Sequence, residues 1–224
     1  MARWSYAAFV AAAILAACSS GNRSGSAGSP GNPIAFPLFG GAEVLSTHAW
    51  HEAISARPGA ADSAVFAQGA GTYDGHDVVA GTQALMSVLE AWLADIDAHA
   101  PGDYRVAVAG SGIEAARARA RELGIDFVAF ENLQGGKRHG VVVMVVDPQT
   151  LDEKIGPVLG LVGRFKNVPK MLRDPLDAQA KRETGFSITE ATDPDTPIGA
   201  AIAALDQLRN YGGRGIVLID AVKQ

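Results

Sequence analysis

Apolar and polar positions along residues 33 to 224 alternate in two periods, and the switches between them predict the elements. Residues 33 to 39 are apolar but broken by Pro33 and Pro37, which suggests an extended segment laid over a core. Ser46 or Thr47 is placed to cap a short helix carrying His48, Trp50, His51 and Ile54, ended by Pro58 and Gly59. A short strand is expected over 65 to 71. Tyr73, Asp74, Gly75, His76 and Asp77 then read as a turn, with Asp77 capping the next helix. That helix has the clearest stripe in the chain: Val78, Leu85, Leu89, Trp92, Leu93 and Ile96.

The second half reads as strand (104 to 109), turn (Gly110, Ser111, Gly112), helix (113 to 123) and strand (125 to 130). After a turn over 134 to 138, the run from Val141 to Val146 is unbroken and apolar, as in a strand covered on both faces. Residues 151 to 181 look helical, with interruptions expected at Pro157, Pro169 and Pro175. Thr196 and Pro197 open a helix with the stripe Ile198, Ile202, Leu205 and Leu208. Gly212 and Gly213 stop it, and residues 215 to 221 form a last strand. The expected fold is a single α/β or α+β domain: a mixed sheet of about five strands with helices packed on it.

The first 32 residues follow another pattern. Arg3 precedes an apolar run from Ala7 to Ala17, too short for the roughly 20 apolar residues of a permanent transmembrane helix. It ends in Leu15, Ala16, Ala17 and Cys18, with Ser19, Ser20 and Gly21 following. This segment resembles the lipobox of bacterial lipoproteins. The resemblance implies thioether lipidation of Cys18, cleavage before it, and acylation of the new amino terminus, so that several chains hold the protein at a membrane. Ser19 stands where an aspartate would favour inner-membrane retention, which implies the periplasmic face of the outer membrane. Residues 19 to 32 are nearly devoid of apolar side chains and suit a flexible tether spanning roughly 20 Å. The expected organisation is a signal peptide over 1–17, a lipidated tether over 18–32 and a globular domain over 33–224.

Composition narrows the chemistry. Cys18 is the one cysteine, so the domain has no thiol left for a disulfide, a thiolate or a cysteine metal site. The formal charge is −5, and −6 without residues 1 to 17, because Arg3 is lost and no acid goes with it. An acidic chain argues against nucleic acid as partner.

Three features could carry function. Gly110, Gly112 and Ala115, followed by Glu131, have the spacing of a dinucleotide-binding turn, although the unit lies in mid-chain; the plainer reading is a close-packed strand-to-helix turn. His48 and His51 would lie one helical turn apart beside Glu52, two metal ligands at most, and otherwise solvent-facing. No Gly-x-Ser-x-Gly elbow occurs, since Ser111 lacks its second half. Arg164, Lys166, Lys170, Arg173, Lys181 and Arg182 make a basic stretch that is either a docking surface for an acidic envelope partner or a solvated helical face. Arg117, Arg119 and Arg121 look spread around their helix.

Neither a cofactor nor a metal is expected. Two functional readings follow. The first is a lipid-anchored, non-enzymatic binding or assembly module that meets an envelope protein or the cell wall through Arg164, Lys166, Lys170 and Arg173. The second is a periplasmic hydrolase or small-ligand enzyme, with a site around the turns at Tyr73 to Asp77 and Gly110 to Gly112, using groups such as Asp74, His76 and Glu131.

Overall fold

The computed structural model describes residues 31–54, 71–107, 111–132, 137, 139–154, 156, 168–184, 187, 189, 192–193 and 197–224. Its elements run β1 (Glu43–Ile54), β2 (Gly71–Thr82), α1 (Met86–Ala94), α2 (Ile96–His99), β3 (Arg105–Val106), α3 (Ser111–Arg121), β4 (Ile125–Asn132), β5 (His139–Val146), α4 (Lys170–Thr184), α5 (Pro197–Tyr211) and β6 (Arg214–Lys223). One six-stranded sheet has the order β1-β2-β6-β5-β4-β3. Every neighbouring pair is antiparallel, so the sheet is neither mixed nor five-stranded. The class is α+β: a hairpin (β1, β2) and a meander (β3, β4, β5) are joined when β6 enters between β2 and β5.

The apolar run at 141 to 146 is internal, as its pattern requires. Alternate residues face opposite ways in a strand, and both sides are covered. On one side Val142, Met144, Val217 and Ile219 pack with Ala120, Leu123, Leu151, Leu205 and Leu208, which come from α3, the turn after it, the helical turn after β5, and α5. On the other, Val141, Val143, Val145, Ile216 and Leu218 pack with Leu89, Leu93 and Ile96 of α1 and α2. The domain is therefore three-layered. Ile34 and Phe36 join the second side, each 3% exposed, so residues 33 to 39 do form an extended strap over the core. Asn32 shapes its start: the side-chain oxygen accepts from the Ile34 N–H (2.9 Å) and the amide donates to the Phe36 carbonyl (3.0 Å).

Four local expectations are overturned. Residues 46 to 54 are strand, not helix, because pairing with β2 satisfies their backbone and Trp50 is buried against it. Tyr73 to Asp77 lie inside β2, not in a turn. Gly75 is there because the Trp50 indole lies on it; a Cβ would sit 2.1 Å from that ring. Asp77 caps no helix. It accepts from Trp50 Nε1–H at 3.1 Å, and α1 starts only at Met86, leaving Val78 in the strand and Leu85 exposed. Pro175 does not break α4; the helix runs through it at the cost of one backbone bond. The glycine stop is as expected: Gly212 adopts φ 73° just after α5, a conformation that side-chain-bearing residues resist.

Of the expected strand over 104 to 109, Arg105 and Val106 are strand among the described residues, 108 and 109 lying outside them, and the strand pairs antiparallel with β4 directly across α3. A dinucleotide-binding unit needs adjacent parallel strands around its helix. That arrangement is absent here, and Glu131 is paired in register with Arg105.

Candidate functional site

The two most apolar strands each carry a polar residue beside their apolar run, near the same end of the sheet. In β6 it is Asp220, 8% exposed; in β5 it is the first residue, His139. Alternation places Asp220 on the side of Ile216 and Leu218, and His139 on the side of Val141 and Val143, so the two share a face. His139 Nε2 meets Asp220 Oδ1, and His139 Nδ1 meets the Tyr104 hydroxyl at 3.0 Å. Desolvation by burial, then the charges of Asp220 and Asp103, push the Tyr104 phenol up to about 12. The phenol thus stays protonated, and the direction of the two contacts follows the imidazole: with its proton on Nε2, the hydroxyl donates to Nδ1 and Nε2–H donates to the carboxylate. The three side chains form one connected line, Tyr104, His139 and Asp220.

Phe36 of the strap holds the tyrosine end. Its ring meets Tyr104 edge-on at 5.3 Å and Phe130 at 4.8 Å. Asn132, at the end of β4, donates to Asp103 at 2.8 Å and ties down the loop before β3.

On the opposite flank of Asp220 stands His76 of β2, its direct partner in register. Two rows toward the hairpin, Asp74 meets His51 of β1 and accepts from the side-chain amide of Gln224. Thr47, Ala49, His51 and Ala53, on this side of β1, are all exposed. The surface is a shelf: among the described residues it is open from Thr47 to Ala53 of β1, partly buried at Asp74 and His76 of β2, and buried at Asp220, with imidazoles at 51, 76 and 139. Its donors do not converge on one point, and among the described residues no group of three or more is arranged to hold a metal. What the shelf can do is offer hydrogen bonds of both senses around one buried carboxylate, with the tyrosine–histidine–aspartate line behind it.

Of the residues singled out earlier, Asp74 and His76 belong to this shelf, but Glu131 alternates to the other side of β4. His48 and His51 are not neighbours on a helix. As strand residues three apart they lie on opposite faces: His48 is 3.5 Å from Asp77 on the Trp50 side, and His51 is on the shelf. Gly110 lies outside the described residues, while Ser111 and Gly112 open α3. Cys18, Arg164 and Lys166 also lie outside the described residues. Lys170 starts α4, and the Arg173 guanidinium turns back to donate to the Val168 carbonyl at 2.6 Å.

Three groups of this candidate site were not singled out by the sequence: Tyr104, His139 and Asp220. The one signal available was the place of Asp220 in an otherwise apolar strand, since a lone aspartate is seldom buried without a partner. Arg117 and Arg121 were misjudged too. Four residues apart, they share a helix side and both bind Asp126, at 2.5 and 2.9 Å.

The fold and shelf thus define an antiparallel α+β domain with a histidine-lined open face. No protein family matches the chain, and no curated protein or solved structure is significantly similar to it.

Proposed function

We propose that this is a lipid-anchored cell-envelope protein whose domain is a binding module, and that the shelf around Asp220 is its binding surface. The lipobox-like leader supports the anchor at Cys18 and the placement on the periplasmic face of the outer membrane. The observation that carries the binding reading is Asp220 itself: a carboxylate 8% exposed, set between the partly exposed His76 and His139 at the end of the shelf. Burying a charge is costly unless it is paired, and a paired carboxylate at the end of the shelf suits recognition of a polar group. The bound group carries hydrogen-bond donors, supplied by an envelope protein or a cell-wall component. The basic stretch of Arg164, Lys166, Lys170 and Arg173 is the competing surface.

Crosslinking in intact cells separates the two. His76→Ala with Asp220→Asn should abolish recovery of the crosslinked partner, while Arg164→Glu with Lys170→Glu leaves it unchanged. The reverse result moves the site to the basic stretch. Cys18→Ser should abolish incorporation of a fatty-acid analogue; equal label in both proteins would remove the anchor from the reading.

A second reading rests on the Tyr104–His139–Asp220 chain, which could serve a periplasmic hydrolase as an acid–base relay. Turnover of ester or phosphodiester substrates that disappears in His139→Gln would favour it over simple binding.

A further inference from the structure

The sheet ends in two unlike edges. On one side stands β3, two residues long; on the other stands β1, twelve residues long. Among the described residues no strand lies beyond β1. A strand edge presents a row of N–H and C=O groups that can pair with another chain, and proteins usually guard it with lysine, proline, inward charge or a bulge. β1 has a bulge at Leu45, where its register with β2 shifts. From Ser46 to Ile54 it then runs regularly against β2, with no lysine, arginine or proline. Its shelf-side positions, Thr47, Ala49, His51 and Ala53, are exposed and mostly small.

We propose that β1 is an interface, and that its occupant is a second copy of this chain, paired edge to edge about a twofold axis through Trp50. Antiparallel pairing sets residues with outward N–H and C=O opposite residues of the same kind. These alternate along the strand, so a symmetric pairing must centre on a single residue. Centring on Trp50 uses the whole regular run. Ser46 then stands opposite Ile54, Thr47 opposite Ala53, His48 opposite Glu52 and Ala49 opposite His51, each twice by symmetry. Position 48, an imidazole, faces position 52, a carboxylate, and no like charges meet. Centring on Ala49 runs the far end into the bulge. Centring on His51 sets two histidines against each other and leaves Ser46 and Thr47 without partners. An isologous contact of this kind closes after two copies. It also preserves the faces of the sheet, so the two shelves become one surface with His51, Asp74 and His76 of both copies on the same side.

The pairing makes a sharp test in the full-length, membrane-inserted protein, whose one native cysteine is Cys18. Directly opposed strand residues have Cα atoms about 4.5–5.5 Å apart, within disulfide range. Positions 47 and 53 of one chain are about 20 Å apart along the strand and cannot bridge within it. Two Ala49 residues would be about 8 Å apart in this register, beyond the range. Under mild oxidation, Thr47→Cys/Ala53→Cys should give a reducible species of twice the mass. Wild type, Thr47→Cys alone, Ala53→Cys alone and Ala49→Cys alone should not. Absence of that species from the double variant overturns the proposal, and so does a single variant, or wild type, that links as readily as the double. Because Thr47 and Ala53 are exposed, the substitutions leave the core untouched.

Discussion

Asp126 and Asp220 are both buried aspartates in the same sheet, 4% and 8% exposed, and they are handled in opposite ways. Asp126 is closed off. Arg117 and Arg121 reach it from α3, and the Phe127 N–H adds a third donor at 2.9 Å. Burial by itself raises its pKa, but the hydrogen bonds from Arg117 and Arg121, the charge of Arg117 and the Phe127 N–H outweigh it, and the carboxyl is held below the usual range. A guanidinium does not give up its proton in a protein. This arrangement can fasten α3 to β4 and do little else. Asp220 instead meets an imidazole, His139, with the Tyr104 phenol behind it and a second imidazole, His76, in register on the neighbouring strand. Burial alone does not mark a functional carboxylate. The chemistry of its partners, and whether the surface before it is covered, separates a clamp from a site.

The scale for testing this contrast comes from the core beneath both. Leu89 is fully buried among Leu93, Val143 and Leu218, so Leu89→Ala should lower the unfolding free energy by about 2–5 kcal/mol. Chemical denaturation measures it, and a change within error would mean that α1 does not pack on that face. Asp126→Asn comes next, at about 1–3 kcal/mol, because the buried end of the Arg117 guanidinium loses its charged acceptor. Its pH signature is directional. A carboxyl with a depressed folded pKa contributes stability above its unfolded value, near about 4, and that contribution is lost as pH falls through the lower folded value. Acid titration of stability below pH 4 should therefore flatten in Asp126→Asn; an unchanged acid limb would contradict the clamp.

Tyr104→Phe should cost less, about 0.5–1.5 kcal/mol, the worth of one hydrogen bond with the ring left in place against Phe36. Here the sign reverses. A phenol raised from 10.0 to about 12 contributes stability below the unfolded value and loses it as pH climbs from about 10 toward 12. The alkaline limb of the wild-type stability curve should be shallower in Tyr104→Phe. The smallest effect belongs to His76→Ala. A half-exposed shelf residue should change stability by no more than about 0.5 kcal/mol, yet partner recovery should fall to background. A large loss of stability with binding intact would make His76 a second clamp and erase the contrast with Asp126.

Much of this architecture was legible in the chain. The unbroken apolar run at 141 to 146, the Leu89 and Leu93 part of the stripe in α1, the Leu205 and Leu208 part of that in α5, the strap over 33 to 39 and the glycine stop at 212 are local patterns, and the period of burial leaves its mark directly on them. The errors fall where tertiary contacts overrule local preference. Residues 46 to 54 and 73 to 77 carry cap-like and turn-like residues, but the hairpin places Gly75 under the Trp50 indole and Asp77 on its N–H, and neither contact is visible from one strand alone. The strand directions were also out of reach, since an alternating order of strands and helices fits parallel and antiparallel sheets alike until β6 is seen to enter between β2 and β5. The sequence by itself determined the lipobox-like leader, the acidic balance, the apolar core strands and the helix stripes, because each depends on neighbours only a few residues apart. Only the tertiary structure decided the shelf: Tyr104, His139 and Asp220 are 35 and 81 residues apart in order along the chain, and they meet because the last strand slots into the middle of the sheet beside the fifth.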